Sequence, residues 1–552
     1  MLRVVRQLFP MWKGQLQAEC DFIDRGVNMQ TGRIVIYTDV KEVTKENVIS
    51  VLRSAILEHD QNSARIQFLL DYDAGIQPLQ RTKKTRTDID CRCVDNVANE
   101  VTEFNLGFKW GNPITFVQNG DESNKNITKA IAELNTCYQS QGYNQKQQEL
   151  ARYIEICGVG YVYIDVNTEY EDGDSYFTYD VLDPRITFVV RSTYYSDRRI
   201  ILAGTYRKEK NTGKRFYTCF TKDQRFEITD GLKITNGKNE EKNKWGFLER
   251  SGEENPLHKI PIVEYVRSYD RMGCFERQIS EMDNLNLLVS DFTNDVDQNT
   301  QAIWHGNDVE FPKEIIEDEN GKKVEVTKKP GTNEWILTYT SQDGKQPFIN
   351  PLAVQYDYSG MLNNIQYRRQ VILQKCNVPQ RNDNSGGSTG VAMSDATGWS
   401  QAETAAAKQQ LITDGCKMEE IKVVLEAIKQ SSGIEANSPL LKLRSRDVQP
   451  NIKRQKTYEM STKVNSIATL ISHGFSLEDT IGAIPFFDDP NDVVSRSGEM
   501  VREYQDSVIK KDTTNQAEGG DGEKEPNKER TMQDLSDQIE NSPMIDKSRT
   551  DR

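Results

Sequence analysis

From Arg271 to Trp304 the sequence carries one apolar stripe at helical spacing. Phe275, Ile279, Met282, Leu285, Val289, Phe292, Val296 and Ile303 recur at intervals of three, four and their multiples. At 1.5 Å per residue, Phe275 to Ile303 would make a rod of roughly 40 Å. Glu276, Glu281, Asp283, Asp291, Asp295 and Asp297 supply much of its remaining surface. A helix of this length must bury its stripe on something. One solution is a bundle within the chain. The other is a ring of side-by-side copies with a heterologous, closed interface.

The segments after the rod bear on that choice. Pro312 ends the helical pattern, and Asn320-Gly321 between Ile315-Ile316 and Val324-Glu-Val326 signals a hairpin, with a second turn at Asp343-Gly344. Helix returns from about Met361 to Lys375 and stops at Pro379. Arg381 to Gly390 is a flexible polar loop. Ala402 to Gln430 is helical again, broken by Gly433 and Pro439. Two helices flanking a compact β excursion make a stalk carrying a tip.

Upstream, residues 40–75, Val94–Phe108 and Asn144–Ile156 read as helices. Gly107, Gly111 and Pro113 are the expected stops of the second, and Gly158 and Gly160 of the third. Tyr161–Val166, Tyr176–Val181, Thr187–Val190, Ile200–Ala203 and Arg215–Phe220 are β-branched and aromatic runs between turn clusters. They predict one antiparallel meander closing near Ile260–Tyr265. Residues 456–506 read as helical, with a turn at Gly474 and breaks at Pro485 and Pro490. The last stretch, 511–552, has no aromatic residue and holds 7 basic against 11 acidic side chains. Such a composition predicts disorder, with Met532, Leu535 and Ile539 as a short partner-binding helix. The fold class is α+β, mostly helical.

At 552 residues the chain is long enough for three or four structural units. Its 70 basic and 84 acidic side chains leave a net charge of −14, which argues against gripping nucleic acid by wholesale phosphate neutralisation. The hydrophobic fraction of 36% is low for a compact globule; it suggests polar tails or surface awaiting partners. Nine scattered cysteines do not form a secreted disulfide framework. The first twenty residues lack the apolar core of a signal peptide, and no run approaches a membrane span. A protein of a reducing cytoplasm is expected, with the sequon at Asn126 idle.

The motifs of chemistry are missing. Only four histidines occur, at 59, 258, 305 and 473, with no HExxH. Cys91-Arg-Cys93 has no second pair and reads as ordinary thiols. Asp295-Val-Asp297 begins like a calcium loop, but Thr300 stands at its sixth position and Gly306 at its twelfth; Asp71-Tyr-Asp73 fails likewise. Gly386 to Gly390 is not followed by GK[ST], and no nucleophile elbow or kinase signature is present. No catalytic residue, cofactor or metal is expected.

Three segments then carry a resemblance. The first is Pro256–Tyr265 with Tyr269–Ile279 and Glu281–Val296, including Ser290-Asp291 and Asn294-Asp295. The second is Ser388-Thr-Gly-Val-Ala-Met393. The third is Leu443–Asp489, with Phe475–Thr480 and Ile484-Pro-Phe-Phe-Asp-Asp489. Asp73-Ala-Gly-Ile-Gln77 is a fainter match. In order and spacing these resemble the portal (head-to-tail connector) proteins of tailed bacteriophages, across roughly residues 45–505. Met393, where the family has a longer Leu/Lys run, and an unusually polar loop before it are departures.

The resemblance implies a portal fold assembled as a dodecameric ring around a channel at one capsid vertex. It maps 1–270 and 433–455 to a wing, 271–305 and 358–378 to stem helices and 306–357 to a β clip. Residues 379–400 become a tunnel loop, 401–432 a long wing helix, 456–510 a helical crown and 511–552 an acidic tail. Such a ring passes double-stranded DNA during packaging and ejection. It meets capsid and scaffold proteins, the terminase large subunit, which hydrolyses the ATP, and a head–tail adaptor; no membrane is involved. The protein is expected in the virion after synthesis in the bacterial cytoplasm.

On that mapping Arg381, Asn382, Asn384, Ser385 and Ser388 line the narrowest part of the channel. Short polar side chains and one cation per subunit give weak, register-free phosphate contacts. Phe275, Ile279, Met282, Leu285, Val289, Phe292 and Val296 pack the stem between copies, and the acidic row becomes a wall that repels phosphates. Lys322, Lys323, Lys328 and Lys329 have two readings: contacts to motor, adaptor or DNA, or a solvated edge guarded against aggregation. Trp304 and Trp335 read as packing anchors. The competing classes are a cellular helical scaffold and a diverged DNA-processing enzyme.

Overall fold

Strands that are neighbours in sequence separate into two sheets, and among the described residues three large cores and a small fourth cluster pack around them. The structure, a computed structural model, describes residues 32–79, 89–119, 125–168, 170–171, 173–229, 233–234, 254–300, 304–307, 313–317, 323–327, 348–351, 357–380, 398–452, 454, 460–473, 475 and 480. The chain divides into two units, Met1–Thr457 and Tyr458–Arg552.

The first unit opens with β1 (Ile36–Thr38), α1 (Val48–Asp73), α2 (Val97–Trp110), β2 (Thr115–Gln118), α3 (Lys125–Ser140) and α4 (Tyr143–Cys157). There follow β3 (Val159–Val166), β4 (Phe177–Leu182), β5 (Thr187–Ser192), β6 (Ile200–Lys208), β7 (Arg215–Phe220), β8 (Arg225–Thr229), β9 (Lys233–Ile234) and β10 (Ile262–Val266). A 3-10 turn at Glu276–Gln278 leads into α5 (Ile279–Thr300). Then come β11 (Trp304–Asn307), β12 (Lys313–Glu317), β13 (Lys323–Thr327), β14 (Phe348–Pro351), α6 (Tyr358–Lys375), α7 (Trp399–Gln430) and β15 (Val448–Asn451). In the second unit α8 (Met460–Ser472) is the helix among the described residues. The rest of the helical stretch expected over 456–506, and the tail 511–552, lie outside them.

The expected single meander is corrected. One sheet has the order β1-β5-β6-β7-β8-β9, with β1 parallel to β5; the other is β10-β3-β4. The reason is readable in β3, whose residues are nearly all buried. Val162, Ile164 and Val166 point into one core with α3, α4 and α7, while Val159, Tyr161 and Tyr163 point into a second. A strand buried on both faces needs a layer on each side. The second sheet supplies one of those layers: Val189, Ala203 and Phe220 join the middle core, and Tyr163 meets Phe220 ring to ring at 5.8 Å. Its other face, with Phe188, Val190 and Leu202, closes a third core under the first half of α1. β15 returns from far along the chain to pair antiparallel with β2.

Glycines account for two further corrections. Helix α2 runs through Gly107, where an added Cβ would meet nothing within 4 Å, so Gly111 and Pro113 are the stops. Gly158 does cap α4, at φ +74°, with its N–H on Ile154 O at 3.0 Å. Gly160 instead lies inside β3, where a Cβ would stand 2.8 Å from the Leu150 side chain. Helix α3, absent from the sequence reading, buries Ala130, Ile131, Leu134, Cys137 and Tyr138 on one face.

The long helix α7 crosses the first core on charged side chains. Lys417 and Glu420, both fully buried, pair at 2.9 Å. Glu420 also accepts from the hydroxyls of Tyr138 (3.0 Å), Tyr179 and Tyr265, and Lys417 donates to Tyr143 at 2.9 Å. Burial and the Glu420 charge push those first three phenols well above their usual range, so they remain donors. Two turns earlier, Gln409 reaches Glu155 of α4 at 2.6 Å. Glu155, also fully buried, accepts from Trp110 Nε1 (3.1 Å) and Arg267 Nε (2.9 Å) and faces Lys109 at 3.4 Å.

Burial alone would raise the Glu155 carboxyl, but Lys109, Arg267 and the neutral donors overrule it and hold it at about 2. Burial outweighs the same partnership for Lys109 and pushes the ammonium down to about 8. A carboxylate depressed by folding contributes stability that is complete above its unfolded value of 4.5 and is lost as pH falls toward about 2. Glu155→Gln therefore removes that acid-dependent limb from a stability–pH profile. At neutral pH it costs about 3–5 kcal/mol, because it strands the buried Lys109 and leaves the half-buried Arg267 without its carboxylate; urea unfolding across pH measures both.

Candidate functional site

The α5–α6 hairpin, the strands it carries and the loop ends behind it form the candidate site. The expected helix start at Arg271 is corrected: α5 begins only at Ile279, after the 3-10 turn, and Arg271 lies in a turn ahead of it at φ +55°. Its guanidinium instead grips the buried Glu264 of β10 through two 2.8 Å bonds, and Arg191 of β5 adds a third at 2.7 Å. Burial would raise Glu264, but the two guanidiniums hold it below the usual carboxylate range. One turn on, Cys274 N donates to Glu155 O at 2.7 Å, and Gly273 packs so closely on Ile156 O that no side chain fits. Arg33 reaches across to Glu276. The root of α5 is thus fixed before the helix begins.

The residues of the α5 apolar stripe divide by position. Phe275, Met282 and Leu285 are at most 1% exposed inside the protein's own middle core. Their assignment to packing between copies is corrected, since their apolar surface is already covered. Ile279 and Val289 lie partly buried on the same core. Phe292 touches Tyr358 of α6 edge-on at 6.0 Å, and Val296 is 37% exposed. Ile303 lies outside the described residues.

The acidic row is equally divided. Glu281 faces Arg368 at 3.6 Å, Asp283 accepts from Tyr72 at 2.8 Å and Asp297 accepts from Cys91 at 3.2 Å. With Glu276 on Arg33, much of the expected repelling wall is engaged within the chain. The apparent calcium loop at Asp295 begins inside α5. Among the described residues no cluster of three or more His, Cys, Asp or Glu stands ready for a metal.

A feature missed in the sequence lies along α5. Asn286, Ser290 and Asn294 recur every fourth residue and are at most 1% exposed. They hold the backbone of residues 91–95. Asn294 Oδ1 accepts from Cys91 N (2.8 Å) and its Nδ2 donates to Cys91 O (3.1 Å). Ser290 takes Cys93 N at 3.0 Å and gives to Cys93 O at 3.2 Å, and Asn286 takes Asp95 N at 2.8 Å. The match is geometric. Four helical residues rise about 6 Å, and two extended residues about 6.6 Å. Arg369 of α6 then locks Asp95 at 3.0 Å. Ser290 and Asn294 belong to the motif that carried the resemblance; their job is to seat this strap.

At the far end, β11 pairs antiparallel with β14, Trp304 opposite Pro351, and β12 pairs antiparallel with β13, as the hairpin signal predicts, with Ile316 opposite Val324. Ile315 (64%), Ile316 (49%), Val324 and Val326 (both 43%) are exposed, so both strands present apolar surface outward. Lys323 stands opposite Glu317 and is exposed. Lys322, Lys328, Lys329 and Trp335 lie outside the described residues.

So do Arg381, Asn382, Asn384, Ser385 and Ser388. The segment's two ends are described: α6 closes with Asn377 at φ +59°, and a Cβ on Gly398 would lie 3.9 Å from Pro379 Cα. The excursion leaves and returns at one point. Beside it is an open cleft of about 490 Å³ that includes Arg267, Asn377, Thr404 and Lys408.

Asn294→Ala, paired with Ser290→Ala, removes the strap's backbone partners without touching the hydrophobic stripe. It is expected to raise the rate of Cys91 and Cys93 alkylation by roughly an order of magnitude while leaving a folded protein, since each lost bond costs about 1–3 kcal/mol. Mass-resolved thiol labelling reads the outcome; unchanged rates would show that the strap is held elsewhere.

A family model described as "Phage portal protein, SPP1 Gp6-like" matches residues 53–507. No curated protein matches the chain. Among solved structures, a chain titled "Neck of empty GTA particle computed with C6 symmetry" is 10% identical, with 72% of this chain and 92% of that chain covered at a TM-score of 0.37. That score is too low to carry an argument about fold or function.

Proposed function

Because the chain belongs to the SPP1 Gp6-like family of phage portal proteins, a structural and non-enzymatic family of the virion, we propose that it assembles as a dodecameric ring at one capsid vertex and serves as the conduit for double-stranded DNA. The observation that carries this reading is the family match over residues 53–507. In this reading 1–270 and 433–455 form the wing with the helix 401–432, and 271–305 with 358–378 the stem. Residues 306–357 form the clip, 379–400 the tunnel loop, 456–510 the crown and 511–552 an acidic tail.

The hairpin β12–β13 supports the clip assignment. An isolated two-stranded ribbon with apolar residues outward is barely stable in water. Neighbouring copies, the terminase large subunit or a head–tail adaptor would cover Ile315, Ile316, Val324 and Val326. Ile279, Val289, Phe292 and Val296, which keep exposed or half-buried surface, are the stem residues left for packing between copies. The pinched base at Pro379 and Gly398 supports the loop assignment, because a segment so anchored reaches inward without moving the helices that hold it. Arg381, Asn382, Asn384, Ser385 and Ser388 then supply sliding contacts to phosphates, and Lys322, Lys323, Lys328 and Lys329 face partner or DNA at the clip. Capsid and scaffold proteins meet the wing.

Two measurements test the proposal. Light scattering with negative-stain imaging should give a particle many times the mass of one chain, with a central hole; a stable monomer overturns the ring. Shortening 382–390 should leave assembly intact while DNA packaging or retention falls; loss of assembly would make the loop structural.

A further inference from the structure

At the edge of the six-stranded sheet, three aromatic rings and three cations are held together by a braced turn. The tip of the β5–β6 hairpin, Thr193–Arg199, leans on the end of β1. Thr193 N donates to Thr38 O (2.9 Å), Thr193 Oγ1 to Asp39 Oδ1 (2.5 Å) and Ser192 Oγ to Val40 O (2.7 Å). On this frame the Arg199 guanidinium lies 4.0 Å over the Tyr195 ring. Arg198 lies 5.6 Å over Tyr37, and Lys41 5.6 Å over Tyr194. Tyr194 and Tyr195 meet edge-on at 5.4 Å. Tyr194 is 63% exposed and Tyr37 36%.

Two details separate this corner from ordinary surface. Arg198 sits at φ +48°, a conformation that an arginine adopts only at a cost and that glycine would take freely. And although Arg199 pairs with Asp197 at 3.2 Å, no carboxylate among the described residues pairs with Arg198 or Lys41. Rigid tyrosines and arginines already oriented by one another lose little freedom on binding, and such residues dominate protein interfaces.

We propose that this corner is a docking site for an extended, carboxylate-bearing segment of another protein. Charge selects the class of partner. Lys41, Arg198 and Arg199 stand against Asp39 and Asp197, a surplus of one positive charge, too small for the phosphate neutralisation that nucleic acid binding needs. Arg191 beneath is spent on Glu264. The extended form follows from β1. It is the sheet's edge strand, with β5 its one partner among the described residues, so an incoming strand finds backbone to pair with beside the cations that hold its carboxylates. The inference does not depend on the ring.

The test uses the full-length protein and a fluorescein-labelled peptide of alternating glutamate and threonine, followed by anisotropy. Binding is expected for the wild type, weakening with salt and by about tenfold or more in Tyr194→Ala and in Arg198→Gly. Arg198→Gly also separates function from folding, because it should unfold at the same or a higher temperature than the wild type. The proposal is overturned if the wild type does not bind, if both variants bind as it does, or if a lysine–threonine peptide binds equally. Binding of a DNA oligonucleotide that the same substitutions abolish would reassign the corner to nucleic acid.

Discussion

A single buried carboxylate on α4 ties α2, α7 and the root of α5 into one arrangement. Glu155 has no access to water, so its charge is tolerated only where cations and donors surround it. Lys109 and Trp110 come from α2, Gln409 from α7 and Arg267 from the exit of β10. Its backbone carbonyl receives Cys274, just ahead of α5. Displacing any of these elements would leave an uncompensated charge in the core. Glu264 repeats the logic a few residues earlier, where two guanidiniums hold the turn in which Arg271 adopts its left-handed conformation. The direction in which α5 leaves the body is therefore set by electrostatics in a dry interior, and the hydrophobic stripe is fitted to it.

That division explains what the stripe means. Its spacing is uniform from Phe275 to Val296, yet Phe275, Met282 and Leu285 are inside the protein, Ile279, Val289 and Phe292 are half-buried and Val296 is exposed. Periodicity reports that a face is apolar; it does not say which neighbour covers it. The same limit applies to the acidic row. Carboxylates at helical spacing look solvated in sequence, but Asp283 and Asp297 accept hydrogen bonds from Tyr72 and Cys91, residues too distant in the chain for any local pattern to connect.

Some of the fold was open to reading and some was not, for definite reasons. The pairing of β12 with β13 was legible because Asn320-Gly321 between two apolar runs is a hairpin signal. Most helices of the first unit were legible from apolar recurrence. The partition of strands into two sheets was not, because it depends on β3 feeding two cores at once, and a continuous apolar run fits either one sheet or two. The polar strap seats were hidden for the opposite reason: Asn286, Ser290 and Asn294 look like a solvated face until the partner backbone is placed on them. Helix α3 had a readable face in Ile131, Leu134 and Tyr138. The residues assigned to the tunnel loop lie outside the described part of the chain, so their roles rest on the family and on where the loop is anchored.

The touching of Pro379 and Gly398 has an evolutionary consequence. A segment whose ends coincide can lengthen or shorten with its stems left in place, and each doubling of its length costs only about 0.6 kcal/mol of closure entropy. Insertions and deletions between residues 381 and 397 are then tolerated without renegotiating a single contact in the cores behind them.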